Sequence, residues 1–317
     1  MLEPANKRPY IMIIIVIINY MDPICRVSAI SLISFVLSGP STWVEKFPEA
    51  SGSRQSPVDI ATSTTMSTAQ LLPLQWTYCP IQTRSLVNPG YCWKVDENGR
   101  GSELRGGPLG AVYRLAQFHC HWGCSDGRGS EHTVDGKAYS AELHLVHWNC
   151  TKYASLDEAG GQPDGLAVLG VFLKVGKHHP ELEKIAQLLP FIMHKGDKIT
   201  MNDSPDPSKL LPDSKAYWTY EGSLTTPPCT ESVTWILFKE PVEISAEQVC
   251  SHLHPFVVSR VLPVGKLHLK SAKMPSCVMI KCFHYTANSS KSEEITFHLY
   301  VHTNYLLLSI IISNTIN

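Results

Sequence analysis

The segment Gln117-Phe118-His119-Cys120-His121-Trp122 constrains this chain more than any other stretch. Successive side chains on a strand point to opposite faces. Gln117, His119 and His121 therefore share one face, and Phe118, Cys120 and Trp122 share the other. Two imidazoles at i and i+2 on an extended strand can grip one ion. The stretch Glu142-Leu143-His144-Leu145-Val146-His147 offers a third, because Glu142, His144 and Val146 alternate onto one face while His147 points away. Three neutral imidazoles suit zinc, and three protein ligands leave the fourth tetrahedral position open. Cys120 cannot close that position, since it alternates away from its histidine neighbours. Ligating imidazoles usually donate their other N–H to a fixed acceptor, and Gln117 beside His119 and Glu142 beside His144 are acceptors of that kind. The same spacing also describes polar residues on a wet sheet face, and spacing alone leaves both readings open.

The surrounding sequence is β-patterned. Residues 111–122 and 139–148 alternate, while 166–175 and 233–238 are nearly continuous apolar runs of the kind found in buried strands. Helical signals are few. Pro180 opens a stretch in which Leu182, Ile185 and Leu189 share a face, with proline at the first turn as helices permit. Ser245 followed by Gln248 has the form of a capping box. Residues 39–250 show no linker and no internal repeat, and read as one mostly β domain. The 317-residue chain is 44% hydrophobic, enough to bury a core, and its net charge of -1 excludes a nucleic-acid-coating protein. Its ten cysteines form no CxxC pair, which excludes a zinc ribbon.

The two ends differ in texture. Residues 1–38 carry Lys7 and Arg8 ahead of an apolar run at 11–18, too short for a membrane span of about 20 residues. They read as a signal peptide or anchor, or as an alternative first exon. Residues 251–317 scatter Ser, Lys, His and Cys without a period, and hold one bare apolar run at 306–312.

Six motifs carry a resemblance. They are Gln55-Ser56-Pro57-Val58-Asp59-Ile60, Gly106-Gly107-Pro108-Leu109, the 117–123 segment, Gly129-Ser130-Glu131-His132-Thr133-Val134, the 141–149 segment, and 217–228, which reads YWTYEGSLTTPP. In order and spacing they resemble the α-class carbonic anhydrases, closest to the animal intracellular type, with an invertebrate-like Asn88-Pro89-Gly90-Tyr91-Cys92-Trp93. The resemblance implies a single domain around a large, twisted, mainly antiparallel sheet of about ten strands with a few short helices. It implies one zinc per chain held by His119, His121 and His144, with Gln117 and Glu142 behind them. The implied activity is reversible hydration of carbon dioxide to bicarbonate and a proton by attack of zinc-bound hydroxide, serving acid–base homeostasis. Thr225 would orient the nucleophile and Glu131 would accept the Thr225 proton. His132 would be structural. Val146, Val168, Leu224, Val233 and Trp235 would form the apolar wall for carbon dioxide, and Thr226 would meet bicarbonate at the mouth. Anions and sulfonamides would inhibit, and the protein would be a monomer with no nucleic-acid partner.

The chain also departs from that family. The aromatic N-terminal segment is reduced to Gly39-Pro40 and Trp43. No histidine follows Asn88, where fast members carry their proton shuttle. After Gln248 the resemblance ends, so 251–317 reads as a divergent tail in place of the family's last strands. Extracellular members pair a cysteine after the Pro-Pro with one before Gln-Ser-Pro. Cys229 is present, but 48–54 holds no cysteine, which favours a reducing, cytoplasmic compartment. The alternative is a secreted or membrane-anchored protein attached through residues 1–38. Two other functional classes stand beside the enzyme: an acatalytic binding module, and a variant product that misfolds without the last strands.

Overall fold

A computed structural model describes residues 40–67, 71–79, 84–97, 101–123 and 126–249, and the strand backbone at 280–281, 294–303 and 306–313. The apolar runs of residues 1–38 lie outside the described residues. The chain splits into two compact units, Met1–Pro263 and Val264–Asn317.

In the first unit the strands follow in order as β1 (Asp59–Ile60), β2 (Leu72–Thr77), β3 (Arg84–Val87), β4 (Lys94–Glu97), β5 (Glu103–Gly107), β6 (Leu109–Trp122) and β7 (Thr133–Val134). Then come β8 (Ala141–Asn149), β9 (Leu166–Val175), β10 (Lys198–Met201), β11 (Tyr217–Gly222), β12 (Val233–Phe238) and β13 (Val242–Ile244). All but β1 and β7 join one 11-stranded sheet with the path β10-β3-β4-β6-β8-β9-β12-β11. Most neighbours are antiparallel, and the parallel pairs are β9 with β12 and β9 with β13. The expected mostly β fold is the one observed.

Strand β6 organises the sheet because it is long. Its 14 residues pair with β5 along the first half and β4 along the second, while β8 runs the length of its other edge. The turn from β5 into β6 is Gly106-Gly107-Pro108. Both glycines hold positive φ, and a Cβ at Gly106 would collide with the Pro73 carbonyl. Strands β8, β9 and β12 are buried on both faces, which explains their continuous apolar runs. One core cluster gathers Phe118, Leu143, Leu145, Leu169 and Ile236 on the face away from the histidines. A smaller cluster gathers Val146, Val168, Val233 and Trp235, with Leu224 packed against it.

Among the described helices, α1 spans Pro40–Trp43, α2 spans Leu156–Gly160 and α3 spans Pro180–Ala186. His179 caps α3, its Nδ1 accepting from the Leu182 amide at 3.3 Å. Leu182, Ile185 and Leu189 are buried as their shared face requires, although the α-helix stops before Leu189, which begins a 3-10 turn. The capping box at Ser245 is reciprocal. Gln248 N donates to Ser245 Oγ at 3.3 Å, and Ser245 N donates to Gln248 Oε1 at 3.2 Å. The same buried amide ties this turn to α3 through both the N–H and the carbonyl of His179, each at 2.9 Å.

In the second unit, β14 (Ile280–Lys281), β15 (Glu294–Thr303) and β16 (Leu306–Ser313) form an antiparallel three-stranded sheet. The apolar run at 306–312 is therefore a strand.

Candidate metal centre

Pairing of β6 with β8 brings the histidines together. His119 lies directly opposite His144, Gln117 opposite Val146 and His121 opposite Glu142. Opposed residues on one face of an antiparallel ladder sit about 5 Å apart at Cβ, close enough for imidazoles to converge on one point. The ligand atoms of His119, His121 and His144 all lie within 4.8 Å of one another. Ring centroids are 5.0 Å apart for His119–His121, 5.2 Å for His119–His144 and 4.7 Å for His121–His144.

Two of the three rings have a hydrogen-bond acceptor behind their outward nitrogen, and the third has a carboxylate oxygen near it. His119 Nδ1 lies 2.8 Å from Gln117 Oε1, His121 Nδ1 lies 3.2 Å from Glu131 Oε1, and His144 Nε2 lies 2.7 Å from Glu142 Oε1. The hydrogen bonds to Gln117 and Glu142 fix the tautomers of His119 and His144. A neutral ring that donates from its outward nitrogen presents a bare lone pair on the inward one. His119 Nε2 and His121 Nε2 stand 3.1 Å apart, so the His119 lone pair can accept from His121 Nε2–H when no ion lies between them. Converging lone pairs are satisfied by a cation, and imidazole nitrogens in this number suit zinc. The donor set fits the metal that the sequence implies.

Electrostatics favour neutral rings at two of the positions. Burial, followed by the neighbouring imidazoles, holds His119 well below the ordinary histidine range and pushes His121 down to about 3. His144 differs. Burial opposes its charge, but the Glu142 carboxylate and its hydrogen bond outweigh that and raise its pKa. Glu142 is fully buried, which works against ionisation, yet the charge on His144 and donation from His132 and His144 hold its pKa well below the carboxylate range. Its four donors are the Glu131 amide at 2.9 Å, the His132 amide at 2.8 Å, His132 Nδ1 at 2.6 Å and His144 Nε2 at 2.7 Å.

His132 is not aimed at the centre. Its Nδ1 serves Glu142, and its Nε2 lies 2.6 Å from the Tyr220 hydroxyl, which in turn lies 2.8 Å from Ser56 Oγ. Ser56 and Ser223 close the chain by exchanging backbone-to-hydroxyl bonds of 2.9 and 3.0 Å. Glu131 has two neighbours. Oε1 takes the His121 contact, while Oε2 is buried without a hydrogen bond of ordinary geometry. Burial raises the Glu131 pKa, and among the groups that pull it back is the Thr225 side chain.

The apolar residues expected around the site gather beside the rings. Val146 pairs with Val168 across β8 and β9, and Val168 with Trp235 across β9 and β12. The Trp235 ring centroid is 4.8 Å from that of His144. Leu224, Thr225 and Thr226 are half-buried in the segment leading to the cis Pro227–Pro228 bond. Sequence reasoning did not assign Tyr220 or Ser56 to the network behind Glu142, nor a His121 contact to Glu131. Tyr220 and Ser56 sit in two of the quoted motifs, which were the available signal.

A family model for eukaryotic-type carbonic anhydrases matches residues 38–256. The chain belongs to that family. As a carbonic anhydrase it has a small-molecule substrate, and no helix among its described residues is long and apolar enough to cross a membrane.

His147 provides a control for the metal assignment. It is fully buried on the opposite face of β8, with Nε2 accepting from Tyr78 OH at 2.8 Å and Nδ1 donating to the Ala167 carbonyl at 3.2 Å. Burial pushes its pKa down to about 4. The unfolded chain binds this proton below about pH 6.5 and the folded chain only below about 4, so folding loses up to roughly 3 kcal/mol as pH falls through that window. His147→Ala is expected to leave metal content unchanged, to lower the melting temperature at neutral pH, and to flatten the melting curve's pH dependence between pH 6 and 4. Loss of metal in this variant would contradict the facing of β8.

Proposed function

We propose that this carbonic anhydrase hydrates carbon dioxide reversibly with one zinc held by His119, His121 and His144. The observation that carries the proposal is the convergence of three imidazoles on one point, two of them with the inward lone pair set by an acceptor behind the ring. When bound, zinc supplies a Lewis acid that brings the pKa of water from 15.7 to about 7, a figure that comes from carbonic anhydrases themselves.

The protein's own residues do the rest. Thr225 donates its hydroxyl proton to Glu131, so its Oγ1 is left to accept from the attacking oxygen's O–H. That single acceptor aims the oxygen's free lone pair at the carbon. Carbon dioxide carries no charge and no strong acceptor, and Val146, Val168, Leu224, Val233 and Trp235 give it an apolar wall. Thr226, half-buried at the mouth, hydrogen-bonds departing bicarbonate. Glu142 and Gln117 hold His144 and His119 in their tautomers, and the Glu131 carboxylate stands beside the His121 ring. Among the described residues, Cys79, Cys92, Cys120, Cys150 and Cys229 form no disulfide with one another.

Stopped-flow hydration of carbon dioxide tests the reading, with an aromatic sulfonamide as titrant. Catalysis abolished at one equivalent of sulfonamide is the expected result. A rate equal to the buffer blank at full zinc loading would remove the proposal.

Proton export should limit the rate. Unaided transfer from a group of pKa near 7 to water runs at about 10³ s⁻¹, given recapture near 10¹⁰ M⁻¹s⁻¹, against about 10⁶ s⁻¹ for the fastest members. The rim segment after Asn88 offers Pro89, Gly90 and Tyr91. Tyr91 is exposed, but what burial it has raises its phenol above the ordinary value of 10, which makes it a poor acceptor. Turnover is expected to rise steeply with imidazole buffer, and Tyr91→His or Pro89→His to reduce that dependence. Turnover indifferent to buffer would assign the proton to another group.

A further inference from the structure

The wall beside the histidines carries a charge pair that the proposed reaction has not used. In the β4–β6 ladder, Lys94 lies directly opposite His119 and Asp96 opposite Gln117. Directly opposed residues project from the same face, so both charged side chains rise from the face that carries the imidazoles. Lys94 Nζ and Asp96 Oδ1 are 2.8 Å apart, with side chains 31% and 28% exposed, so the pair opens to solvent. The register sets its polarity. Lys94 stands level with the histidines, while Asp96 is one pleat further along, beside Gln117, about 6.7 Å down the strand. On the other side of the rings stands the Glu131 carboxylate, against His121.

We propose that Lys94, oriented by Asp96, sets the preference of this site for anionic ligands, bicarbonate among them, over neutral ones. The inference rests on the zinc-site reading above and adds a selectivity determinant to it. A cation rising from the face that carries the imidazoles lowers the free energy of any anion that enters and leaves a neutral ligand unaffected. Asp96 partly cancels the ammonium's field, so removing its charge strengthens the pull on an anion while Lys94 keeps its place opposite His119 on the β4–β6 ladder.

The test titrates zinc-loaded protein with azide as the anion and imidazole as the neutral ligand, reading dissociation constants by calorimetry. Lys94→Met keeps the side chain's bulk and removes its charge. Azide is expected to bind about tenfold more weakly, equivalent to ~1.4 kcal/mol, and imidazole within twofold of the parent. Lys94→Arg should restore azide binding. Asp96→Asn should tighten azide about threefold and leave imidazole alone. Equal azide affinity in Lys94→Met, or parallel weakening of azide and imidazole, overturns the inference and leaves the zinc site standing. A parent protein that retains no zinc overturns both. Should Lys94→Met not fold, Asp96→Asn decides alone, and unchanged azide binding in that variant overturns the proposal.

Discussion

His144→Ala should lose zinc and carbon dioxide hydration together. The substitution removes one of three converging nitrogens and leaves two imidazoles from a single strand. It also takes from the fully buried Glu142 the Nε2–H donor at 2.7 Å, though the His132 ring and two backbone amides remain to hold the carboxylate. The fold is therefore expected to survive with lower stability, and metal content is the informative readout. Mass spectrometry under non-denaturing conditions should find the variant metal-free at zinc concentrations that saturate the parent. Full occupancy would place the metal elsewhere, and activity at parental level would sink the hydration mechanism as well.

Thr225→Ala is expected to keep zinc and to lose turnover by roughly 10²-fold, the lower range for one well-placed proton-handling group. The loss should fall on kcat, because the hydroxyl aims the nucleophile rather than binding carbon dioxide. Glu131 would keep its His121 contact at 3.2 Å, so zinc affinity should change little. Glu131→Gln should be costly in its own right. An amide oxygen accepts from the Thr225 hydroxyl more weakly than a carboxylate, and the amide's NH2 turns a donor toward either Thr225 or the His121 ring. The double variant should be no slower than the worse single one, since groups that act as a unit are strongly non-additive. Full additivity would separate Thr225 from Glu131.

The site's faces were legible in the sequence, and its pairings were not. Alternation put Gln117, His119 and His121 on one side of β6 and turned His147 away from Glu142 and His144, because the side-chain period of a strand is fixed. Nothing local says that His119 stands opposite His144. That register depends on a shift in the β6–β8 ladder between Leu115 and Gln117. The double environment of Glu131 was equally hidden. It depends on the loop after β6 returning so that the Glu131 and His132 amides meet the Glu142 carboxylate. Nothing local in the sequence sets Lys94 opposite His119 or Asp96 opposite Gln117; the β4–β6 pairing does. The parallel attachment of β12 and β13 to β9 was likewise beyond a pattern reading, since a continuous apolar run shows burial on both faces without naming its neighbours.

The proposed activity depends on one coupling, between zinc at the three imidazoles and hydration of carbon dioxide. The direct measurement strips the full chain of metal with a chelator, returns zinc in substoichiometric steps, and follows hydration by stopped flow at each step. The rate should start at the buffer blank, rise in proportion to bound zinc and level off at one equivalent per chain. Stoichiometric zinc uptake with the rate still at the blank would contradict it.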